Sequence, residues 1–162
     1  MARDIHALRA AGAHGLVFGA LTPDGAIDGA LMRQLIDLAR PLPVTCHKAI
    51  DDARDQLEAL DTLLALGVDR VLTSGGAATA AEGVSTIAEM VRRVGPALMI
   101  MAGGGVRAHN VADLVRATGV HEVHATLLPT TVPSSTGADV ASDEVLAWPS
   151  QIAQFVAALP RA

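Results

Sequence analysis

Aromatic side chains are almost absent from this chain, which has two Phe, one Trp and no Tyr among its 162 residues. Aliphatic side chains and alanine must therefore fill the interior, as is usual where helices cover both faces of a parallel sheet. Hydrophobic residues still make up 51% of the sequence, and charged residues make up only 18%. This composition excludes disorder for most of the length and predicts one globular domain over residues 1–162.

Cysteine is equally scarce: Cys46 stands alone, so no intrachain disulfide can form. No apolar secretion signal follows Met1, and no uncharged stretch reaches the roughly 18 residues that cross a bilayer. The 12 Lys and Arg are scattered and are outnumbered by 17 Asp and Glu, for a net charge of −5. Such a chain is poorly suited to bind nucleic acid. We therefore expect a cytoplasmic protein with no membrane segment and no nucleic-acid partner.

A unit composed of an amphipathic helix, a glycine and a short apolar run recurs about every 24 to 28 residues. Gly12, Gly67 and Gly119 stand where a helix needs a left-handed ending residue. The fold class is therefore α/β, with parallel strands buried on both faces. The five predicted strands cover residues 16–21, 44–49, 71–73, 98–102 and 120–128.

Capping residues mark where several helices begin. Asp28 is predicted to cap one helix, and Asp51 or Asp52 the next. Thr79 and Glu82 have the spacing of a capping box.

The end of the chain combines a helix with a long connection. A final helix is predicted over residues 149–159, with Pro149 in its first turn. Residues 129–148 before it are rich in Ser, Thr and Pro and lack periodicity, so we predict a mobile loop or lid there.

Five parallel strands fit either an open doubly wound sheet or part of an eight-stranded barrel. Periodicity does not decide between these, although a chain that opens on a helix favours a piece of a barrel. In both architectures ligands bind at the carboxyl ends of the strands, so the residues that follow each strand are the candidates for function.

Two glycine-rich turns at strand ends are candidate anion sites. In M-A-G-G-G-V-R, the three glycines 103–105 let backbone N–H groups approach an anion, with Arg107 nearby. In T-S-G-G, Thr73, Ser74 and Gly75 offer hydroxyl and N–H donors in the equivalent place. The alternative for both is a tight turn whose glycines only relieve crowding. The residues predicted to bind an anion are Thr73, Ser74, Gly75, Gly103, Gly104, Gly105 and Arg107.

Histidines and a glutamate at strand ends are candidates for proton transfer. His47 is either a general acid or base or a core imidazole bonded to backbone, while Lys48 either binds an anion or is a solvated cation. Glu122 and His124 share one face of an otherwise apolar strand and need polar partners. Aligning the repeats predicts that Arg70 lies in the same layer as Glu122 and pairs with it.

Soft ligands for a metal are few. Cys46 and Met101 are the candidates for a thiolate or thioether site, which suits Cu(I). No Cys-x-x-Cys or His-x-x-x-His spacing accompanies them, and methionine more often fills gaps in an aromatic-poor core.

Five phrases at the strand ends together resemble the copper homeostasis protein CutC family. They are G-L-V-F-G-A-L-T-P-D-G-A-I-D, P-V-T-C-H-K-A-I-D, R-V-L-T-S-G, I-M-A-G-G-G-V-R-A-H-N and E-V-H, at residues 15–28, 43–51, 70–75, 100–110 and 122–124. Their order and spacing make the resemblance specific over about residues 7–124.

The resemblance implies a TIM barrel of which this chain supplies the last five β/α units. The same resemblance predicts that the family's first three units and their cysteines are missing here, and that Met1 corresponds to an internal methionine of the family. It further implies a role in copper homeostasis with copper as the bound ion.

Other functions stay open beside this one. A TIM-barrel enzyme acting on a small anionic or phosphorylated compound is the alternative, and an inactive fragment is the third interpretation. The open edges of an incomplete barrel predict a homo-oligomer or aggregation.

Overall fold

The computed structural model of the chain describes residues 1–126 and 148–160. The strands are β1 (Leu16–Val17), β2 (Val44–Cys46), β3 (Arg70–Thr73), β4 (Met99–Gly103) and β5 (Glu122–His124). The α-helices are α1 (Ala2–Ala10), α2 (Gly29–Ala39), α3 (Gln56–Ala65), α4 (Val84–Val94), α5 (Val111–Thr118) and α6 (Trp148–Ala158). Short 3-10 helices cover Lys48–Asp52 and Gly95–Ala97.

The strands form one parallel sheet in the order β1-β2-β3-β4-β5, so the predicted α/β class is confirmed. Each strand pairs with the next one along the chain, and the order does not reverse within the described residues. Because crossovers between parallel strands are right-handed, an order without reversal puts successive helices on the same side of the sheet. Contacts between α1 and α2, α3 and α4, and α4 and α5 agree with this placement.

The core lies between that layer of helices and one face of the sheet. Val44, Cys46 and Val71 are fully buried on this helix-side face. The alternate residues Leu72 and Met101 are only half-buried. The prediction of strands buried on both faces was therefore wrong, because helices on one side cover only one face. The helices contribute Met32, Leu60, Leu63, Ile87 and Met90 to the core, each worth about 1.5–3 kcal/mol on burial.

The helix ends follow the sequence in part. Asp28 caps α2 through a bond from the Leu31 N–H, as predicted, and Gly12, Gly67 and Gly119 all have positive φ. The cap of α3 is Asp55 and neither Asp51 nor Asp52, because those two residues belong to a separate 3-10 helix.

The predicted capping box is present but stands one turn before its helix. Thr79 and Glu82 exchange side-chain to backbone hydrogen bonds of 3.1 and 3.3 Å. Helix α4 begins only at Val84, after Gly83. The box therefore orders the turn that leads into α4.

Several predicted strands are longer than the observed ones. The run at 120–128 forms a strand only over Glu122–His124, and the run at 16–21 only over Leu16–Val17. The predicted loop at 129–148 lies outside the described residues up to Trp148, where α6 begins. No helix in the described part of the chain is long and apolar enough to cross a membrane.

Candidate functional site

The carboxyl ends of the strands bring the predicted site residues to one edge of the sheet. Register pairs Thr73 with Ala102, and Gly103 with His124, so the residues after these positions lie side by side. His47 follows β2 and His124 ends β5, three strand spacings or about 14 Å away. The two histidines therefore lie at the same edge of the sheet, on strands that are not neighbours.

Asp51 lies at the centre of this edge, with only 9% of its side chain exposed. Its carboxylate accepts hydrogen bonds from the Thr73 hydroxyl and from the N–H of Gly76 at 3.1 Å. The Ser74 N–H donates at 2.9 Å and the Ser74 hydroxyl at 2.9 Å. The Thr73 and Ser74 donors predicted to hold a ligand anion are thus bonded to a carboxylate of the chain itself, whereas the Gly75 N–H donates to the Thr73 hydroxyl oxygen at 2.8 Å.

Lys48 joins this cluster from the start of the 3-10 helix. Its ammonium lies 3.5 Å from Asp51 Oδ2, and its side chain is 43% exposed. A Cβ built on Gly104 would meet Lys48 Nζ at 3.4 Å and Ser74 Cβ at 3.2 Å. Lys48 therefore stands between the two glycine-rich turns, with part of its charge facing solvent.

The Gly103–Gly105 turn is held in place by the side chain of Asn110. Asn110 accepts from the Arg107 N–H at 2.8 Å and donates to the Gly105 carbonyl at 3.0 Å. The Arg107 guanidinium turns back to the Val106 carbonyl at 2.9 Å, away from the predicted anion position. Among residues 1–126 and 148–160, the N–H groups of Gly104 and Gly105 have no hydrogen-bond acceptor.

His47 is exposed and caps the 3-10 helix that follows it. Its Nδ1 accepts from the Ala49 N–H at 3.1 Å, which leaves Nε2 as the nitrogen that carries the proton in the neutral ring. A Cβ on Gly19 would lie 3.0 Å from His47 Cε1, so the end of β1 adjoins this imidazole. His47 is thus not a core residue, and no hydrogen bond joins it to Glu122 within the described residues.

The predicted pair of Arg70 and Glu122 is confirmed. The guanidinium of Arg70 contacts both carboxylate oxygens across β4, once through Nε and once through a terminal nitrogen at 2.8 Å. This bonding outweighs partial burial and lowers the pKa of Glu122 below its usual value. Glu122 is therefore an ionised, bonded carboxylate, which is a poor proton acceptor for a reaction.

Cys46 and Met101 lie on opposite faces of the sheet. Cys46 is in register with Val71, and Val71 with Ile100, so these three side chains face the helices. Met101 follows Ile100 and therefore points to the other face. The two predicted soft ligands cannot hold the same metal ion.

The chemistry of Cys46 also disfavours a metal. Burial, assisted by the Asp51 charge, raises the pKa of the thiol from 9.0 to about 12. Metals bind the thiolate, which is rare at neutral pH with such a pKa. Within the described ranges, no group of three or more His, Cys, Asp or Glu is arranged to hold a metal ion. The residues that the structure describes do not fit a copper site built on Cys46.

Asp51 is the residue whose role the sequence did not reveal. The sequence predicted a helix cap for this position, because an Asp before an amphipathic helix usually serves as one. The available signal was the presence of Lys48 and Asp51 after one strand and a hydroxyl-glycine turn after the next.

The CutC family model matches residues 1–128 of this chain. The chain is 48% identical over 124 residues to a CutC family protein of Parabacteroides distasonis, an alignment covering 76% of this chain and 51% of the relative. It is 44% identical over 124 residues to the copper homeostasis protein cutC homolog of Mus musculus, covering 76% and 46%. The chain thus spans about half the length of these curated relatives.

Solved structures agree with the fold. A crystal structure of CutC from Streptococcus agalactiae matches with a TM-score of 0.72 and 32% identity, over 76% of this chain and 60% of that one. A native KDPGal structure matches with a TM-score of 0.63 and 21% identity, over 98% of this chain and 64% of that one. At that identity the second likeness concerns the fold alone.

Proposed function

The chain belongs to the CutC family, and from this membership we propose that it acts in copper homeostasis. The observation that carries the proposal is the family match over residues 1–128, together with a relative named for copper homeostasis. A cytoplasmic location is part of the proposal, and a single buried cysteine is in keeping with a reducing compartment.

We propose that the chain folds as five consecutive β/α units of an eight-unit barrel, in a single domain over residues 1–162. The parallel order without reversal supports this, because a doubly wound sheet reverses its order. The half-buried face carrying Arg70, Met101 and Glu122 would be the barrel interior. The match to a CutC crystal structure is further support.

Copper handling is tested by complementation. In a bacterium deleted for its own CutC protein, this chain should restore copper tolerance, and an empty vector should not. Failure of the chain to restore tolerance would contradict the proposed function.

The role of Cys46 needs a separate measurement. A Cu(I) titration under reducing conditions against a chromogenic chelator should give equal affinities for wild type and Cys46→Ala, because the thiol is buried and protonated. The matched variant is Met101→Leu, which removes the thioether of the other predicted ligand. A clear loss of affinity in Cys46→Ala would show that the thiol binds copper after all.

A second candidate function is an enzyme that acts on a small anionic or phosphorylated compound. The observation that favours it is Lys48, whose ammonium lies beside Gly104, in a turn where the N–H groups of Gly104 and Gly105 have no acceptor in the part of the chain that the structure describes. In this proposal His47 or His124 moves a proton, and Glu122, two residues from His124 on β5, orients or charges that histidine.

Self-association is also proposed. Strand β1 lies at one end of the sheet with Val17 63% exposed, and β5 lies at the other end. Among the described residues no further strand pairs with β1 or β5, so each end offers backbone groups to another strand, and the face opposite the helix layer is half-buried. We propose that a second copy of this chain covers these surfaces.

A further inference from the structure

The Thr73–Gly76 turn has the form of an oxyanion-binding site. Gly75 and Gly76 both adopt positive φ, 72° and 71°, which brings backbone N–H groups to the same side as the hydroxyls. Residues other than glycine rarely adopt this backbone conformation, so the turn depends on both Gly75 and Gly76. The donors of Thr73, Ser74 and Gly76 converge on one position.

That position is filled by a carboxylate tethered to the chain. Asp51 receives two hydroxyl and two N–H donors, of which the Ser74 hydroxyl is shared with the Ala77 carbonyl at 2.7 Å. The Lys48 ammonium adds a positive charge 3.5 Å away. Hydroxyls, N–H groups and an ammonium around a desolvated carboxylate are the contacts by which proteins hold phosphate, sulfate or carboxylate ligands.

We infer that Asp51 is a tethered anion that occupies an oxyanion site formed by the Thr73–Gly76 turn and Lys48. When the Asp51 carboxylate is removed, the site accepts a free phosphate, sulfate or acetate ion. In the wild-type chain a ligand anion is excluded from this position, while the outer side of Lys48 stays exposed to solvent. The inference depends on the contacts of Asp51 and stands whether or not the chain acts in copper homeostasis.

The test is anion rescue of the Asp51→Ala variant of the whole 162-residue chain. Its thermal midpoint should be below that of wild type in chloride, and should rise when acetate or phosphate replaces chloride at constant ionic strength. At about ten times the dissociation constant, a rise of about 3 to 6 °C is expected for a domain of this size. Lys48→Met in the same background should remove most of the rise.

Two matched controls separate binding from general salt effects, since phosphate and sulfate stabilise folded proteins non-specifically. Wild type still has its tethered anion, and Asp52→Ala loses a neighbouring exposed carboxylate of the same 3-10 helix. Both should show only the small common response. Equal responses in Asp51→Ala and the two controls would overturn the inference.

A folding defect of the variant does not prevent the test. If Asp51→Ala fails to fold in chloride, recovery of its helical circular dichroism on refolding in phosphate or acetate supports the inference. Failure to fold in every anion overturns it, because a vacant oxyanion site would then not account for the defect.

Discussion

At the scale of single residues, the Arg70–Glu122 ion pair stands out on the open face of the sheet, which is the face opposite the helix layer. Arg70 and Glu122 reach across β4 and are each about one-third exposed. A charged hydrogen-bonded pair of this kind contributes more than a fully exposed one, because less water competes for its atoms.

Glu122→Gln should lower the free energy of unfolding by about 1–2 kcal/mol at pH 7, since it removes the charge that Arg70 binds. The pKa of Glu122 is lowered in the folded state from 4.5, so its stabilisation is complete above that pH. As pH falls through the lowered pKa, both states become protonated and the stabilisation is lost. Urea denaturation at pH 7 and pH 3 should therefore show a difference that shrinks in acid.

The control for this change is Asp113→Asn. Asp113 pairs with Arg116 on α5, where the two side chains are 77% and 67% exposed. Its loss should cost about 0.5 kcal/mol or less. A Glu122→Gln effect that small at pH 7 would mean that the pair on the open face is no stronger than a surface one.

At the scale of elements, the acidic segment before α3 offers more than one candidate for the residue that caps this helix. Residues 51–55 contain three Asp, and the sequence favoured the first two as the cap. The structure assigns the cap to Asp55, whose Oδ1 accepts from Leu57 N–H and Glu58 N–H at 3.0 Å each.

Asp55→Ala should therefore cost about 1 kcal/mol of unfolding free energy, the usual effect of losing an N-cap. Asp52→Ala, four residues from the start of α3 and exposed, should cost about 0.5 kcal/mol or less. Chemical denaturation of both variants measures the difference. The reverse order of effects would restore Asp52 as the capping residue.

At the scale of the whole molecule, a sheet with helices on one side leaves surface for association. Wild type should sediment at more than the 16.6 kDa of one chain, with a mass that rises with protein concentration. Val17→Lys should shift this equilibrium toward the monomer, because a lysine on an edge strand opposes pairing with another strand.

Ser85→Lys is the matched control for that variant. It adds the same charge at an exposed position of α4, away from β1, and should leave the association unchanged. A wild-type chain that stays monomeric at every concentration would refute self-association through these surfaces.

Much of the architecture could be predicted from local patterns. Each of these patterns depends on a few neighbouring residues. The structure has the expected helix-ending glycines at 12, 67 and 119 and the expected Asp28 cap. The pairing of Arg70 with Glu122 was also predictable, because two charged residues at matching places in the repeat need each other in an apolar sheet.

Local patterns were enough to establish the α/β class, the parallel strands and the edge at which the polar residues collect, because periodicity and strand direction set these features. The three-dimensional arrangement was needed to show that Cys46 and Met101 face opposite ways, and that donors of the T-S-G-G turn bind Asp51. These outcomes depend on which strand lies beside which and on how the loop after β2 folds over the end of β3. The contact between Asp51 and the Ser74 N–H joins residues 23 apart, and no repeat pattern of the kind that predicted the Arg70–Glu122 pair connects them.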